Sequence, residues 1–392
     1  MQICQIAIIG GGPSGAFCGE RLARAGFDVT LYDEHLAWEK PCGGGLTHKA
    51  IVAYPFLLDG PQPKKLIHQM ELISSSGPRA RLELDHPIVI YSRAVLNGLL
   101  LDRAAAAGCK LVRSHVTAVD TAGKGVRVTA GNGTQEADFA VIAAGARNAL
   151  LPGIPPLERD DLEMTLGYFV PQQADTIRVK FLRGFEGYIW SFPRADHLSV
   201  GICGRMARHT SRELRRFLDQ FLAEERISPA GTRFYSHVLP SPQTRTLHRP
   251  VSGANWALVG DAAALVDPIT GEGLYYAIRS GDLLATAIIA ERPADYPESV
   301  RADFAGDLEF ATRVAKHVYR GRFLGAAVTT RMIQFMERSA TFRALMSDLF
   351  SGAQDYAGLK RRLWSQFGLT ASEVVASLLR PGSPLARAAG GS

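Results

Sequence analysis

Ile6-Ala7-Ile8-Ile9-Gly10-Gly11-Gly12-Pro13-Ser14-Gly15 runs an apolar tetrad straight into a glycine hexad, and Asp33 closes the next apolar run. Four consecutive apolar residues read as a parallel strand buried on both faces. The hexad is a GxGxxG. Gly10 permits the tight turn, Gly12 lets backbone approach a pyrophosphate, and Gly15 lets the following helix pack close to the strand. That helix is expected over 13–25, with Gly26 as its stop. A second strand over 29–32 ends in Asp33, whose carboxylate can take the two ribose hydroxyls of an adenosine. A glycine-rich turn alone is weak evidence. Strand, glycines, helix, strand and acid in order point to a dinucleotide site, while the choice between NAD and FAD rests on residues further along.

The chain of 392 residues is long enough for two domains and a large core, and 46% hydrophobic with 21% charged residues is a globular composition. A net charge of +6, without an arginine-rich arm or zinc-ligand spacing, argues against nucleic acid and against a metal site. It leaves a weak attraction to anionic lipid. Cys4, Cys18, Cys42, Cys109 and Cys203 are scattered and odd in number, which fits a reducing, cytoplasmic compartment better than a disulfide framework. No basic leader with a cleavage site precedes the first strand, and the longest apolar helix, around 283–290, is too short to span a bilayer. Any membrane contact is therefore peripheral, at the inner face.

Outward from the hexad, Lys40-Pro41-Cys42-Gly43-Gly44-Gly45-Leu46 sets a thiol and three side-chain-free residues behind a rigid proline. It reads either as a surface loop or as a loop that lets something flat approach backbone, with Cys42 facing a reactive ring. Five prolines between 51 and 90 predict loops and short strands there rather than helices. Ser92 caps a helix expected over 93–107 and closed by Gly108, with Arg93 in its first turn either solvated or facing a pyrophosphate or ribityl chain. Strands at 116–119 and 126–129, with Gly131-Asn132-Gly133 as a turn, form a hairpin region. The apolar run 139–143 returns beside the first strand.

From 166 to 251 the pattern alternates. Period two puts Tyr188, Trp190 and Phe192 on one face, ended by Pro193, with 198–201 as the partner strand and a helix over 211–224 as cover. These rings either fill a core or wall a tunnel for a long apolar substrate. At 257–259 a buried strand leads into Gly260-Asp261, then Pro268, Gly271 and Gly273, and an apolar helix over 274–290. Asp261 is either a helix cap or an acceptor for ribityl hydroxyls, and the positive end of that helix suits negative charge on a reduced flavin. From 301 onward the chain reads as helical. Lys360-Arg361-Arg362 beside Leu363, Trp364 and Phe367 is a solvated basic face or a membrane-resting helix, and Gly390-Gly391-Ser392 reads as disordered.

These motifs in this order resemble the FAD-dependent oxidoreductases related to p-hydroxybenzoate hydroxylase, and more narrowly the geranylgeranyl reductase family. The resemblance covers about the first 300 residues. GxGxxG, Asp33 and Gly260-Asp261 carry the broader likeness. Pro41-Cys42-Gly43-Gly44-Gly45 and Tyr188-x-Trp190-x-Phe192-Pro193 followed by Gly201 carry the narrower one.

The resemblance implies an α/β (α+β) chain: a discontinuous Rossmann-like FAD-binding domain (1–50, 92–150 and 252–300), a mostly antiparallel substrate-binding sheet domain (51–91 and 151–251) and a C-terminal helical region (301–392). It implies tightly bound FAD at Ser14, Asp33, Cys42, Gly43, Gly45, Arg93, Thr117, Asp261, Gly273 and Leu274, and hydride transfer from reduced flavin to an isoprenoid C=C bond. Cys42 would then position or protonate the alkene while Tyr188, Trp190 and Phe192 hold the prenyl chain. Ala143-Ala144-Gly145 departs from the acid common before that glycine, and Cys203 stands where a second glycine is usual.

No motif for a second dinucleotide is present, so NAD(P)H binds transiently or another donor reduces the flavin. The leading expectation is a flavin reductase of prenyl groups on a lipid or other apolar substrate. An aromatic or polyketide monooxygenase shares the cofactor, and a non-catalytic flavin-binding electron carrier is the third reading.

Overall fold

A computed structural model describes residues 3–131, 133–147 and 149–379 of the chain. Its first sheet is parallel throughout, in the order Trp256–Leu258, Phe139–Ile142, Gln5–Ile9, Asp28–Tyr32, Lys110–Val112. The expected return of the apolar run 139–143 beside the first strand is met by the pairs Ile6 with Phe139 and Ile8 with Val141. Helices Pro13–Arg24, Arg93–Ala106 and Leu274–Ile289 pack on this sheet, and Ala16, Leu22, Leu100, Ile278 and Leu284 join Ile8, Leu31 and Val141 in one buried core. The first two helices end where glycines enter the left-handed region, at Gly26 (φ 92°) and Gly108 (φ 102°). Beside the sheet, the expected hairpin acquires a third strand: Val116–Asp120, Val126–Ala130 and Gly133–Ala137. Asn132 of its turn lies outside the described residues.

The second sheet has eight strands in the order Phe234–Pro240, Leu162–Val170, Leu198–Arg205, Gly187–Pro193, Thr176–Phe181, Lys64–Ser74, Arg79–Tyr91, Gly45–Leu46. All pairs are antiparallel except Thr176–Phe181 with Lys64–Ser74. The prolines between 51 and 90 mislead on two counts. Two short helices, His48–Ala53 and Phe56–Asp59, precede strands of 11 and 13 residues. Pro87 enters the longer strand because Ile67 pairs with Ile88 but Gln69 with Glu83, so residues 84–87 bulge out of the ladder and no donor is needed at the proline.

Helix Ser211–Glu224 lies where its period predicts, started by a Thr210–Glu213 capping box, and buries Leu214, Leu218, Phe221 and Leu222 against Leu166, Val200 and Ile202. The C-terminal helices Gly306–Arg320, Val328–Arg338, Ala340–Ser351, Tyr356–Ser365 and Phe367–Leu379 cover the long strands. Ile333, Met336, Leu345 and Met346 pack there on Ile67, Met70, Leu72 and Leu82. Gly390-Gly391-Ser392 lie outside the described residues. Among the described residues no helix is long and apolar enough to cross a membrane.

Candidate active site between the two sheets

A cavity of about 760 Å³ runs from the glycine hexad, past the cysteine loop, to the second sheet and the C-terminal helices. Gly10, Gly12, Ser14 and Asp33 line one end, and Tyr188, Trp190 and Phe192 line the other. Cys42, Gly43, Gly45, Arg93, Thr117, Asp261, Gly273 and Leu274 line it as well. Gly15 does not. A Cβ there would stand 2.0 Å from the Gly10 carbonyl oxygen and 3.1 Å from Ile8, so it serves close strand–helix packing. Gly10 (φ 112°) is equally constrained, since its Cβ would meet the Ala143 carbonyl oxygen at 2.3 Å. A Cβ on Gly12 would meet nothing within 4 Å, which leaves its backbone open to a ligand.

The Asp33 carboxylate accepts from three backbone amides: Gly11 at 2.7 Å, His35 at 2.8 Å and Leu36 at 2.6 Å. These fill about three of a carboxylate's roughly four acceptor sites, leaving capacity for one ribose hydroxyl rather than two. Arg93 is buried and lines the cavity; its Nη2 donates to Asn97 at 3.2 Å, and its Nε has no hydrogen-bond partner among the described residues. A buried guanidinium left partly unpaired beside an open glycine backbone fits an anionic pyrophosphate.

Asp261 is neither a simple helix cap nor a free acceptor. It forms an ion pair with Lys40 at 3.1 Å. Burial pushes its carboxyl up, but Lys40, then Arg93, outweigh burial and hold it below the ordinary carboxylate range. His237 faces the same cations. Burial, followed by the positive charges of Lys40, Arg93 and Arg147, pushes its imidazole down to about 3. Lys40 and His237 are absent from the sequence-derived set. Lys40 had a signal, standing next to Pro41-Cys42. His237 had none until strand pairing aligned it with the site.

The cysteine loop is held from behind. Arg194, fully buried, donates from Nη2 to the Cys42 carbonyl at 2.6 Å, where Ser199 Oγ also donates at 2.8 Å, and Arg194 Nη1 pairs with Glu39. Glu39 in turn accepts from Ser92 Oγ and from the Arg93 amide at 2.8 Å at the start of the Arg93–Ala106 helix. Burial raises the Glu39 carboxyl, and Arg194 and these donors together hold it below its ordinary range. The Cys42 thiol stays at the cavity surface, its Sγ accepting from the Gly44 amide at 3.3 Å.

On one side the loop's glycines admit a protein ring. Cβ atoms on Gly43 and Gly45 would meet the Phe192 ring at 3.0 and 3.2 Å.

Strand register explains the aromatic wall. Tyr188, Cys203, Thr165 and His237 are directly opposed across four strands and form one row, and all four line the cavity. The next row is Trp190, Gly201, Gly167 and Tyr235. There the glycines let rings lie across the sheet: a Cβ on Gly201 would meet the Trp190 ring at 2.5 Å, and one on Gly167 the Tyr235 hydroxyl at 2.4 Å. Trp190 Nε1 is buried without a hydrogen-bond partner among the described residues.

The loop leading into helix Leu274–Ile289 is anchored by three tyrosines. Tyr188 donates to the Thr270 carbonyl at 2.8 Å, Tyr319 to the Ile269 carbonyl, and Tyr356 to Asp267 Oδ2 at 2.8 Å. Two of these come from the C-terminal helices, whose Leu349, Phe350 and Gln354 also line the cavity.

A parallel sheet with a glycine cradle, joined through one cavity to an antiparallel sheet, defines a Rossmann-type flavin-dependent oxidoreductase. The family model described as pyridine nucleotide-disulphide oxidoreductase matches residues 4–183. The chain is 30% identical over 314 residues to the digeranylgeranylglycerophospholipid reductase of Methanoculleus marisnigri, covering 71% of this chain and 75% of that protein. It is 27% identical over 319 residues to the chloroplastic geranylgeranyl diphosphate reductase of Nicotiana tabacum, covering 73% of this chain and 66% of that protein. It thus spans just under two thirds of the tobacco relative's length. A geranylgeranyl bacteriochlorophyll reductase-like structure from Thermoplasma acidophilum shares the fold, with a TM-score of 0.74 at 21% identity, covering 92% of this chain and 98% of that one. The chain belongs to the geranylgeranyl reductase family of FAD-dependent oxidoreductases. FAD is its cofactor.

Proposed function

We propose that this oxidoreductase saturates isoprenoid C=C bonds of a prenylated lipid or similar apolar substrate. The observation that carries the reading is the continuity of one cavity from Gly12 and Arg93, past the Cys42 thiol, to the rings of Tyr188, Trp190 and Phe192. Relatives named for geranylgeranyl and digeranylgeranylglycerophospholipid substrates support it.

In this reading Gly10, Gly12, Ser14, Asp33, Arg93 and Thr117 hold the adenosine and pyrophosphate. Asp261, with Lys40, takes the ribityl chain. Gly273 and Leu274 present a helix start, whose partial positive charge suits a reduced ring, opposite Cys42, Gly43 and Gly45. Bound there and reduced by NAD(P)H or another donor, FAD would supply the hydride equivalent. An isolated alkene is a poor acceptor, so the protein's contribution is orientation, exclusion of water and a proton for the second carbon. The aromatic rings align the chain. Cys42 Sγ holds the proton at the cavity surface, and Arg194 and Ser199 fix the backbone that carries it.

Reduced enzyme mixed anaerobically with a prenylated lipid is expected to reoxidise, with a saturated product by mass spectrometry. Strict dependence on oxygen with a hydroxylated product would make the enzyme a monooxygenase instead. Full prenyl reduction by Cys42→Ala with FAD retained would remove the role given to the thiol.

A further inference from the structure

Helix Phe367–Leu379 lies on the outside of the C-terminal layer, and it is unusual for a surface helix. Its one charged side chain, Glu373, faces inward: its carboxylate accepts from Ser339 Oγ, from the Thr341 amide at 3.1 Å and from Thr341 Oγ1 at 3.0 Å. The outward face therefore carries no charge along 13 residues, where a helix facing water is ordinarily polar. Phe367, Leu369 and Val375 are 68%, 54% and 55% exposed, and Trp364, at the end of the preceding helix, is 76% exposed. Single exposed apolar residues need no account, but Trp364, Phe367, Leu369 and Val375 exposed within one short stretch without outward charge at the outer edge mark an interaction surface.

Charge selects the partner. Lys360 and Arg361 are exposed on the turn before Trp364 and make no ion pair among the described residues, whereas the adjacent Arg362 is tied to Asp348 at 2.6 Å. A second copy meeting this face about a twofold axis would bring the two basic pairs toward each other. An anionic lipid surface would receive both the exposed apolar side chains and the cations. The inner side of the same layer supplies Phe350 and Tyr356 to the cavity wall, so surface and site share one set of helices.

We propose that Trp364, Phe367, Leu369 and Val375, flanked by Lys360 and Arg361, dock the enzyme on an anionic phospholipid surface, from which its apolar substrate enters the cavity. The entry of substrate rests on the prenyl-lipid reading above; the docking does not.

The test is co-sedimentation of the full-length FAD-loaded enzyme, without substrate, with vesicles of phosphatidylcholine alone or mixed with phosphatidylglycerol. Binding is expected to the mixed vesicles, to weaken with salt, and to be accompanied by a blue shift of tryptophan emission that Trp364→Phe removes. Trp364→Glu/Phe367→Glu is expected to weaken binding at least tenfold, and Lys360→Glu/Arg361→Glu at least roughly fivefold per residue. Val52→Glu, at another exposed apolar position (64% exposed), should leave it unchanged. All variants should reduce a detergent-dispersed prenyl substrate at the wild-type rate.

Three results would overturn the docking. They are no binding of the intact chain to mixed vesicles, binding indifferent to Trp364→Glu/Phe367→Glu, or a dimer in light scattering that the same double variant dissociates. Vesicle binding without prenyl reduction in detergent would leave the docking intact and defeat the substrate reading alone.

Discussion

The two ends of the cavity are built by opposite means. At the cradle end, a contiguous decapeptide presents backbone, and glycines act by what they lack: Gly10 and Gly15 admit carbonyl oxygens at distances no Cβ allows. At the aromatic end, side chains from four strands and two C-terminal helices make the wall, and glycines such as Gly201 serve only to let a ring lie flat. In the proposed reading the first end takes the polar cofactor through backbone and a few charged side chains, Asp33, Arg93 and the Asp261–Lys40 pair. In the same reading the second end takes the apolar chain mainly by shape, against rings fixed by the sheet. Damage at the first should abolish the holoenzyme, whereas damage at the second should leave a yellow protein that has lost its substrate.

The largest expected effect is at the cradle. Gly15→Ala forces a Cβ to 2.0 Å from the Gly10 carbonyl oxygen. This should cost on the order of 4 kcal/mol and strip FAD from the purified protein, read as absorbance at the flavin band per mole of protein. Normal flavin content in this variant would break the comparison.

Arg194→Met tests the buried bridge between the ends. It leaves Glu39 without its guanidinium and the Cys42 carbonyl without one of its two donors, so thermal or urea unfolding should show a loss of about 3 kcal/mol. Trp190→Ala should keep FAD but slow anaerobic reoxidation by a prenyl substrate about tenfold or more. Loss of FAD by this variant would show that the ends are not separable.

The smallest effect is electrostatic. His237 is held down to about 3 against an ordinary 6.5. The unfolded imidazole takes up a proton as pH falls below 6.5 while the folded ring resists. The stability His237 confers is therefore fully present above that pH and is lost progressively down to about 3. With the ring partly exposed and its neighbours screened by solvent, the loss over the whole window should be no more than about 1 kcal/mol. Comparing His237→Asn with wild type in denaturant titrations across that window isolates it from the carboxylates that titrate at its lower end.

Legibility followed locality. Helix Ser211–Glu224 was readable because its cap and apolar period lie within its own residues. The long strands before residue 92 were not, since five prolines outweighed their pattern and only a bulge in register makes Pro87 acceptable. Asp261 was legible as a site residue, but its partner Lys40 stands 221 residues earlier, and nothing local joins them.

By itself the sequence determined the nucleotide cradle, because strand, turn, helix and acid are consecutive and backbone sterics decide each step. Tertiary structure alone decided what closes the rest of the cavity. Arg194 behind Cys42, His237 beside Lys40, and Tyr319 and Tyr356 on the loop before residue 274 meet only after long-range pairing. The physical reason is that local propensity acts over a few residues, whereas burying a charge or a ring requires partners from whichever strands and helices the packed sheets bring together.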